Sequence, residues 1–297
     1  MNNIFGLCSF GMSYGKRQPR VNGLKVSPFI ACIVSTVFQA RIFVIRNYSS
    51  KRILSQDSSF LIKDGEKPAV NTAYKKSCVH LIENGMSCIL DPQKFIASVK
   101  SFSKIHLDLG TGDAKFVYQQ AKANPTTLYI GVDTSPEGMC AISIKVKKKP
   151  SKGGGISNVA FIHAHAECLP NELNNIADSI SINFPWAGLL RAVVLPETEK
   201  LRKISNLGKN NSELSIQLNN EVLRDLLLCK KLDLPTVDEK YIKNIITKEY
   251  HKNHIKINKY TLIDTKSSNT SWGKKLVLGS HRSVLLFDCV IRRQYSS

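Results

Sequence analysis

The stretch His106-Leu107-Asp108-Leu109-Gly110-Thr111-Gly112-Asp113-Ala114 decides how the rest of this 297-residue chain is read. An apolar run of strand length ends in an acid, enters a glycine-rich turn and gives way to a helix-like sequence. Glycine lets the backbone adopt conformations closed to other residues and come close to a bound molecule. Position 115 is lysine, so the G-x-G-x-x-G fingerprint of dinucleotide-binding turns is not met. Outward from this turn, short apolar runs recur at 105–109, 128–132, 159–163, 179–184, 213–218, 255–263 and 284–291. Seven strands with intervening helices predict an α/β sandwich around a mostly parallel sheet. The last two runs are separated by only about twenty residues, so the final strand is expected to return antiparallel. Ahead of the seven, Val79-His80-Leu81-Ile82 and Ser87-Cys88-Ile89-Leu90 flank Asn84-Gly85 and read as an N-terminal β-hairpin. Asp91-Pro92 then opens a short helix, Asp as cap and Pro in the first turn. A further helix is marked by Val237, Tyr241, Ile242, Ile245 and Ile246 on one face of residues 236–251.

The turn at Gly110 is close to the D-x-G-x-G-x-G pattern of S-adenosylmethionine (SAM) sites, with Ala114 where a third glycine is usual. Asp108, Gly110 and Gly112 are therefore candidate cofactor contacts. The next strand ends Tyr129-Ile130-Gly131-Val132-Asp133, and an acid there can accept both hydroxyl protons of a ribose. Such hydrogen bonds to a charged acceptor contribute about 1.5–3 kcal/mol each. The third strand leads into Ala164-His165-Ala166-Glu167, where Ala166 and Glu167 are further candidate cofactor contacts, Glu167 placed to reach an adenine amino group. A single acid of this kind is commonly a helix cap; an ordered set at successive strand ends is not. After the fourth strand, Asn183-Phe184-Pro185-Trp186 partly matches the N/D-P-P-aromatic loop of amino-group methyltransferases, with Phe184 in place of the first proline. Asn183 is placed there as a cofactor contact. Trp186, and Trp272 in Asn269-Thr270-Ser271-Trp272-Gly273-Lys274-Lys275, are the chain's two tryptophans. Both follow strands, and together they can sandwich an extruded base.

Charge points the same way. The chain carries 42 Lys+Arg against 23 Asp+Glu, a formal net charge of +19, which favours a polyanionic partner. Lys145, Lys147, Lys148, Lys149 and Lys152 fall within eight residues ahead of Gly153-Gly154-Gly155. Lys147, Lys148, Lys149 and Lys152 read as phosphate contacts on a flexible glycine stretch, with Lys274, Lys275 and Arg282 extending the surface. Eight scattered cysteines with no C-x-x-C pair argue against both a zinc ribbon and a disulfide scaffold, and no metal is expected. The longest apolar stretch, 29–38, is too short to span a bilayer, which takes about 20 residues, so no membrane partner is expected. Residues 1–56 hold no Asp or Glu but several Lys, Arg and Ser, the composition of an organellar transit peptide. The expected organisation is a mitochondrial transit peptide over 1–48, a linker over 49–76 and a catalytic domain over 77–297. Without residues 1–48 the net charge is still +13, so the basic excess is mostly a property of the rest of the chain.

From about residue 79 to 290 the chain resembles the 16S ribosomal RNA adenine(1408)-N(1)-methyltransferases of aminoglycoside resistance. The matching stretches are HLDLGTGD (106–113), YIGVD (129–133), KKPSKGG (148–154), AECLP (166–170), NIADSIS (175–181), FPW (184–186), and W-x-K-K-L from Trp272 followed by Arg282. The resemblance implies a Rossmann-like class I SAM-dependent methyltransferase. Its substrate would be a decoding-site adenine, in small-subunit rRNA or a 30S-like subunit, and its cofactor SAM. It further implies that Trp186 and Trp272 stack the target adenine, that Thr270 and Ser271 line the cofactor and base pocket, and that Arg282 grips distorted rRNA backbone. A tRNA methyltransferase on the same fold and a non-catalytic rRNA-binding assembly factor are the competing expectations. The expected location is the mitochondrial matrix, with the cytoplasm as the alternative.

Overall fold

The computed structural model describes residues 20–21, 24–25, 79–165, 168–265 and 282–293. The chain divides into two units, 1–71 and 72–297. In the first, strand β1 (Arg20–Val21) pairs antiparallel with β2 (Leu24–Lys25). The sequence-based boundaries at 48 and 76 fall outside the described residues.

In the second unit, nine described strands form one sheet. In chain order they are β3 (Val79–Glu83), β4 (Met86–Leu90), β5 (Lys104–Leu109), β6 (Thr127–Asp133), β7 (Val159–His163), β8 (Ala177–Asn183), β9 (Gly208–Asn219), β10 (Ile255–Thr265) and β11 (Arg282–Ile291). Their spatial order is β10-β11-β9-β8-β5-β6-β7-β3-β4. β5 to β9 run parallel, and β11 lies antiparallel between β9 and β10. Each of the seven expected strands is present. The sheet has nine rather than seven strands because the hairpin joins it: β3 pairs antiparallel with β7, Leu81 opposite Ile162. The hairpin thereby covers backbone groups that an edge strand would leave unpaired. Its Gly85 N–H also donates to Ser143 Oγ at 2.8 Å.

Alternation along the central strands separates two faces. Ile105, Leu107, Leu109, Leu128, Ile130, Val132, Ile180 and Ile182 enter one core. There they meet helices α1 (Pro92–Val99), α4 (Ala187–Val194) and α5 (Thr198–Leu207) through Phe95, Leu190, Val193, Leu201 and Ile204. The opposite face packs on α2 (Lys115–Ala123) and α3 (Pro136–Val146) through Val117, Tyr118, Met139 and Ile142. α1 starts as expected, Asp91 Oδ1 accepting from the Gln93 and Lys94 amides with Pro92 in the first turn. The helical stretch before β10 differs from the sequence reading. Residues 242–246 make a π-helical turn closed by the Thr247 N–H on the Ile242 carbonyl. The wider turn resets the phase, so Ile242, Ile246 and Tyr250 are buried while Ile245 faces outward.

Candidate functional site

β5 ends at the sheet's C-terminal side, where Gly110 (φ 75°) and Gly112 (φ 59°) adopt left-handed conformations. The Gly110 and Thr111 amides donate to the Val132 carbonyl at 2.8 and 3.1 Å, tying the turn to β6. A side chain on Gly112 would meet nothing within 4 Å, so this turn borders open space. Gly110 is more covered, since a Cβ there would stand 2.9 Å from Leu189 of α4. Ala114 stands at φ 56°, keeping the left-handed geometry of the glycine it replaces in the usual pattern. That conformation costs an L-residue about 1–2 kcal/mol, yet Ala114 is fully buried at the start of α2.

Two carboxylates organise the turn. Asp133 accepts from the Gly112 N–H (2.7 Å) through Oδ2 and from the Ser135 N–H (2.9 Å) through Oδ1, joining the loops after β5 and β6. Asp108 is 2 % exposed, and its Oδ1 accepts from Ser181 Oγ at 2.5 Å and Asn183 Nδ2 at 3.0 Å. Burial pushes the Asp108 carboxyl up to about 6, against the hydrogen bonds from Ser181 and Asn183; the Asp133 charge adds to the rise. Below it on β5, His106 places Nδ1 2.7 Å from Ser179 Oγ and Nε2 2.9 Å from Ser181 Oγ. Burial lowers its pKa to about 4, so the imidazole is neutral at physiological pH.

Of the residues singled out from sequence, the structure gathers Asp108, Gly110, Gly112, Asp133 and Asn183 at one end of neighbouring strands β5, β6 and β8. Trp186 lies just beyond, at the start of α4. It follows a loop in which Phe184 adopts φ 51° and donates its N–H to the Gln217 carbonyl at 2.8 Å. Trp186 is 48 % exposed, open to a partner. Ala166, Glu167, Thr270, Ser271, Trp272, Lys274 and Lys275 lie outside the described residues, and for Arg282 only the backbone at the start of β11 is described. Sequence reading did not single out His106, Ser179 or Ser181. The signal was available: His106-Leu107-Asp108 and Ser179-Ile180-Ser181-Ile182-Asn183 alternate polar with apolar on strands otherwise buried in the sheet.

The lysine loop is not the flexible stretch expected from its glycines. Gly154 N–H donates to the Lys149 carbonyl, Gly155 N–H to Val146, and Tyr118 Oη to Gly153 at 2.7 Å. Lys145 covers the Tyr118 ring, its ammonium 4.6 Å from the centroid. Lys147 pairs with Glu83 of the hairpin. Lys148, Lys149 and Lys152 project from this braced loop as exposed residues. Among the described residues, no cluster of three or more His, Cys, Asp or Glu could hold a metal ion. No described helix is long and apolar enough to cross a membrane.

A parallel sheet with an antiparallel last strand, a glycine turn after its central strand and an acid ending the next defines a class I SAM-dependent methyltransferase. The donor set suits that cofactor. Asp108 offers a carboxylate to an ammonium, Asp133 offers acceptors to ribose hydroxyls, and the turn at Gly112 is left uncovered by side chains.

The comparisons resolve the class further. A family model for NpmA, 16S rRNA (adenine(1408)-N(1))-methyltransferase, matches residues 83–291, and the chain belongs to that family. A 16S rRNA (adenine(1408)-N(1))-methyltransferase of Escherichia coli is 38% identical over 189 residues, 62% of this chain and 86% of that protein. One from Streptoalloteichus tenebrarius is 34% identical over 118 residues, 40% of this chain and 54% of that protein. Among solved structures, a variant of the Catenulisporales acidiphilia enzyme with cosubstrate SAM superposes with a TM-score of 0.67 at 26% identity, covering 74% of this chain and 99% of that one. The aminoglycoside resistance methyltransferase NpmB1 gives 0.65 at 33% identity, covering 72% and 99%.

Proposed function

We propose that this chain transfers a methyl group from SAM to N1 of a decoding-site adenine in small-subunit rRNA. The observation that carries the reading is the placement of exposed Trp186 at the same sheet end as the Asp108–Gly112–Asp133 cup. When bound, SAM supplies an electrophilic methyl on a sulfonium. Adenine N1 is a neutral lone pair near pH 7 and needs no general base, so the protein's work is alignment and exclusion of water. Asp133 holds the ribose, Asp108 the amino-acid end, and Leu189 covers the turn at Gly110. Trp186 stacks the extruded base, and Trp272 is proposed as the opposite face of the sandwich. Methylation leaves the adenine cationic, and an indole face stabilises a cation by about 0.5–2 kcal/mol. Lys148, Lys149 and Lys152 contact rRNA phosphates, with Lys274, Lys275 and Arg282 proposed to extend that grip.

Incubation of the protein with SAM and isolated small subunits, followed by reverse transcription, tests this. A stop at the decoding adenine that weakens strongly in Trp186→Ala supports it. Modification of tRNA alone, or none with SAM bound, overturns it. We also propose residues 1–48 as a mitochondrial import signal, supported by their acid-free, Lys/Arg- and Ser-containing composition. A fluorescent fusion of those residues that stays cytosolic refutes that assignment.

A further inference from the structure

His106 takes no part in the transfer as described, yet both of its ring nitrogens are engaged. β5 and β8 lie in parallel register, His106 opposite Ser179 and Asp108 opposite Ser181. The resulting hydrogen-bond chain has a direction. An ionised carboxylate only accepts, so the Ser181 hydroxyl donates to Asp108 Oδ1 at 2.5 Å. The Ser181 oxygen is then left to accept from His106 Nε2–H at 2.9 Å. That assigns the tautomer: Nδ1 bears no proton and accepts from the Ser179 hydroxyl at 2.7 Å. The ring is held in this pose by Tyr129 and Phe116, at centroid distances of 5.2 and 6.3 Å.

We propose that His106 is a positioning residue which, through Ser181, keeps the Asp108 carboxylate ionised and aimed for the α-ammonium of the cofactor. The inference rests on the methyltransferase reading above. Chains of aligned hydrogen bonds polarise one another, and a donor to a buried carboxylate counts most where water is absent. Asp108 needs that help. Burial raises it to about 6, with Ser181 on β8, Thr111 in the glycine turn and Asn183 on β8 opposing, and Asp133 on β6 pushes it further up. α4 brings Leu189 to the turn, and its Arg191 is turned away to the Leu232 and Asp233 carbonyls. Asp113, in the turn itself, pairs with Lys115. His106 stays neutral throughout the range in which Asp108 titrates, its own pKa lying near 4.

The test is calorimetric titration of the full chain with SAM between pH 5.5 and 8.5, comparing wild type, His106→Phe and His106→Gln. Phenylalanine keeps a ring against Tyr129 and Phe116 but removes both hydrogen bonds; glutamine keeps a donor and an acceptor. Binding requires ionised Asp108, so wild-type affinity should fall as pH drops through about 6. A rise of about one pH unit in that midpoint for His106→Phe means roughly fivefold weaker binding at pH 6 and less than about twofold at pH 8. His106→Gln should track wild type. Equal weakening at every pH, an unshifted midpoint, or His106→Gln behaving as His106→Phe overturns the relay while leaving the methyltransferase reading intact. Failure of the wild type itself to bind SAM at any pH overturns both.

Discussion

Replacing Asp108 by asparagine should make the protein more stable and at the same time useless to its cofactor. The carboxyl is 2 % exposed and is raised from an ordinary 3.8 to about 6. The sign follows from linkage. A carboxyl whose folded pKa is raised costs stability wherever it must be ionised, above about 6, and the cost disappears as pH falls below the unfolded value. Two pH units correspond to about 3 kcal/mol. Asparagine keeps a carbonyl oxygen for Ser181 Oγ and Asn183 Nδ2 but adds an amide N–H2 that needs a partner, costing about 1 kcal/mol or more. The net gain is about 1–2 kcal/mol at pH 8, or roughly 2–8 °C in Tm for a domain of this size. Scanning calorimetry at pH 8 and at pH 4.5, with SAM titration alongside, reads both effects. The variant should melt higher at pH 8, lose most of that advantage at pH 4.5, and bind SAM at least tenfold more weakly. A variant that melts lower at pH 8, or binds SAM normally, refutes the view of Asp108 as a charge kept buried for the cofactor.

Asp133→Asn should act in the opposite sense on stability. Its amide cannot accept from both Gly112 and Ser135, and one stranded backbone N–H costs about 1–2 kcal/mol at this half-buried position, measurable by urea unfolding. Leu107 has no exposed surface in the larger core, so Leu107→Ala should lose about 2–5 kcal/mol in the same assay. Changing Lys148, Lys149 and Lys152 together to Gln should weaken rRNA binding and flatten its dependence on salt by about two to three units in the log–log slope, seen by filter binding at graded salt.

The fold was legible because its signals are local. A strand ending in Asp108, a turn with two glycines and a second strand ending in Asp133 occur in an order that leaves few architectures. Asn84-Gly85 marked the hairpin, and the structure places both residues at positive φ. What sequence did not disclose depends on distant partners. That the hairpin extends the sheet rests on Leu81 finding Ile162. Its place at a strand end marks Asp133 as a ribose acceptor, and the structure adds that the same carboxylate fastens the glycine turn through Gly112. An unbroken 3.6-residue period puts Ile245 on one face with Ile242 and Ile246; an i→i+5 turn at Ile242 has no signature in residue type. The glycines of the lysine loop suggest flexibility, yet they permit close backbone turns, and Tyr118 pins them from a helix thirty-five positions away. A histidine inside an apolar run, as His106 is, reads as packing until Ser179 and Ser181 are seen beside it.

The most direct check of the whole account uses SAM carrying a labelled methyl group, purified small subunits and nucleoside analysis of the digested rRNA. The expected product is 1-methyladenosine from the decoding site, carrying the label in proportion to enzyme turnover. Label appearing solely in another nucleoside, or rRNA that stays unlabelled while the protein binds SAM, would contradict it.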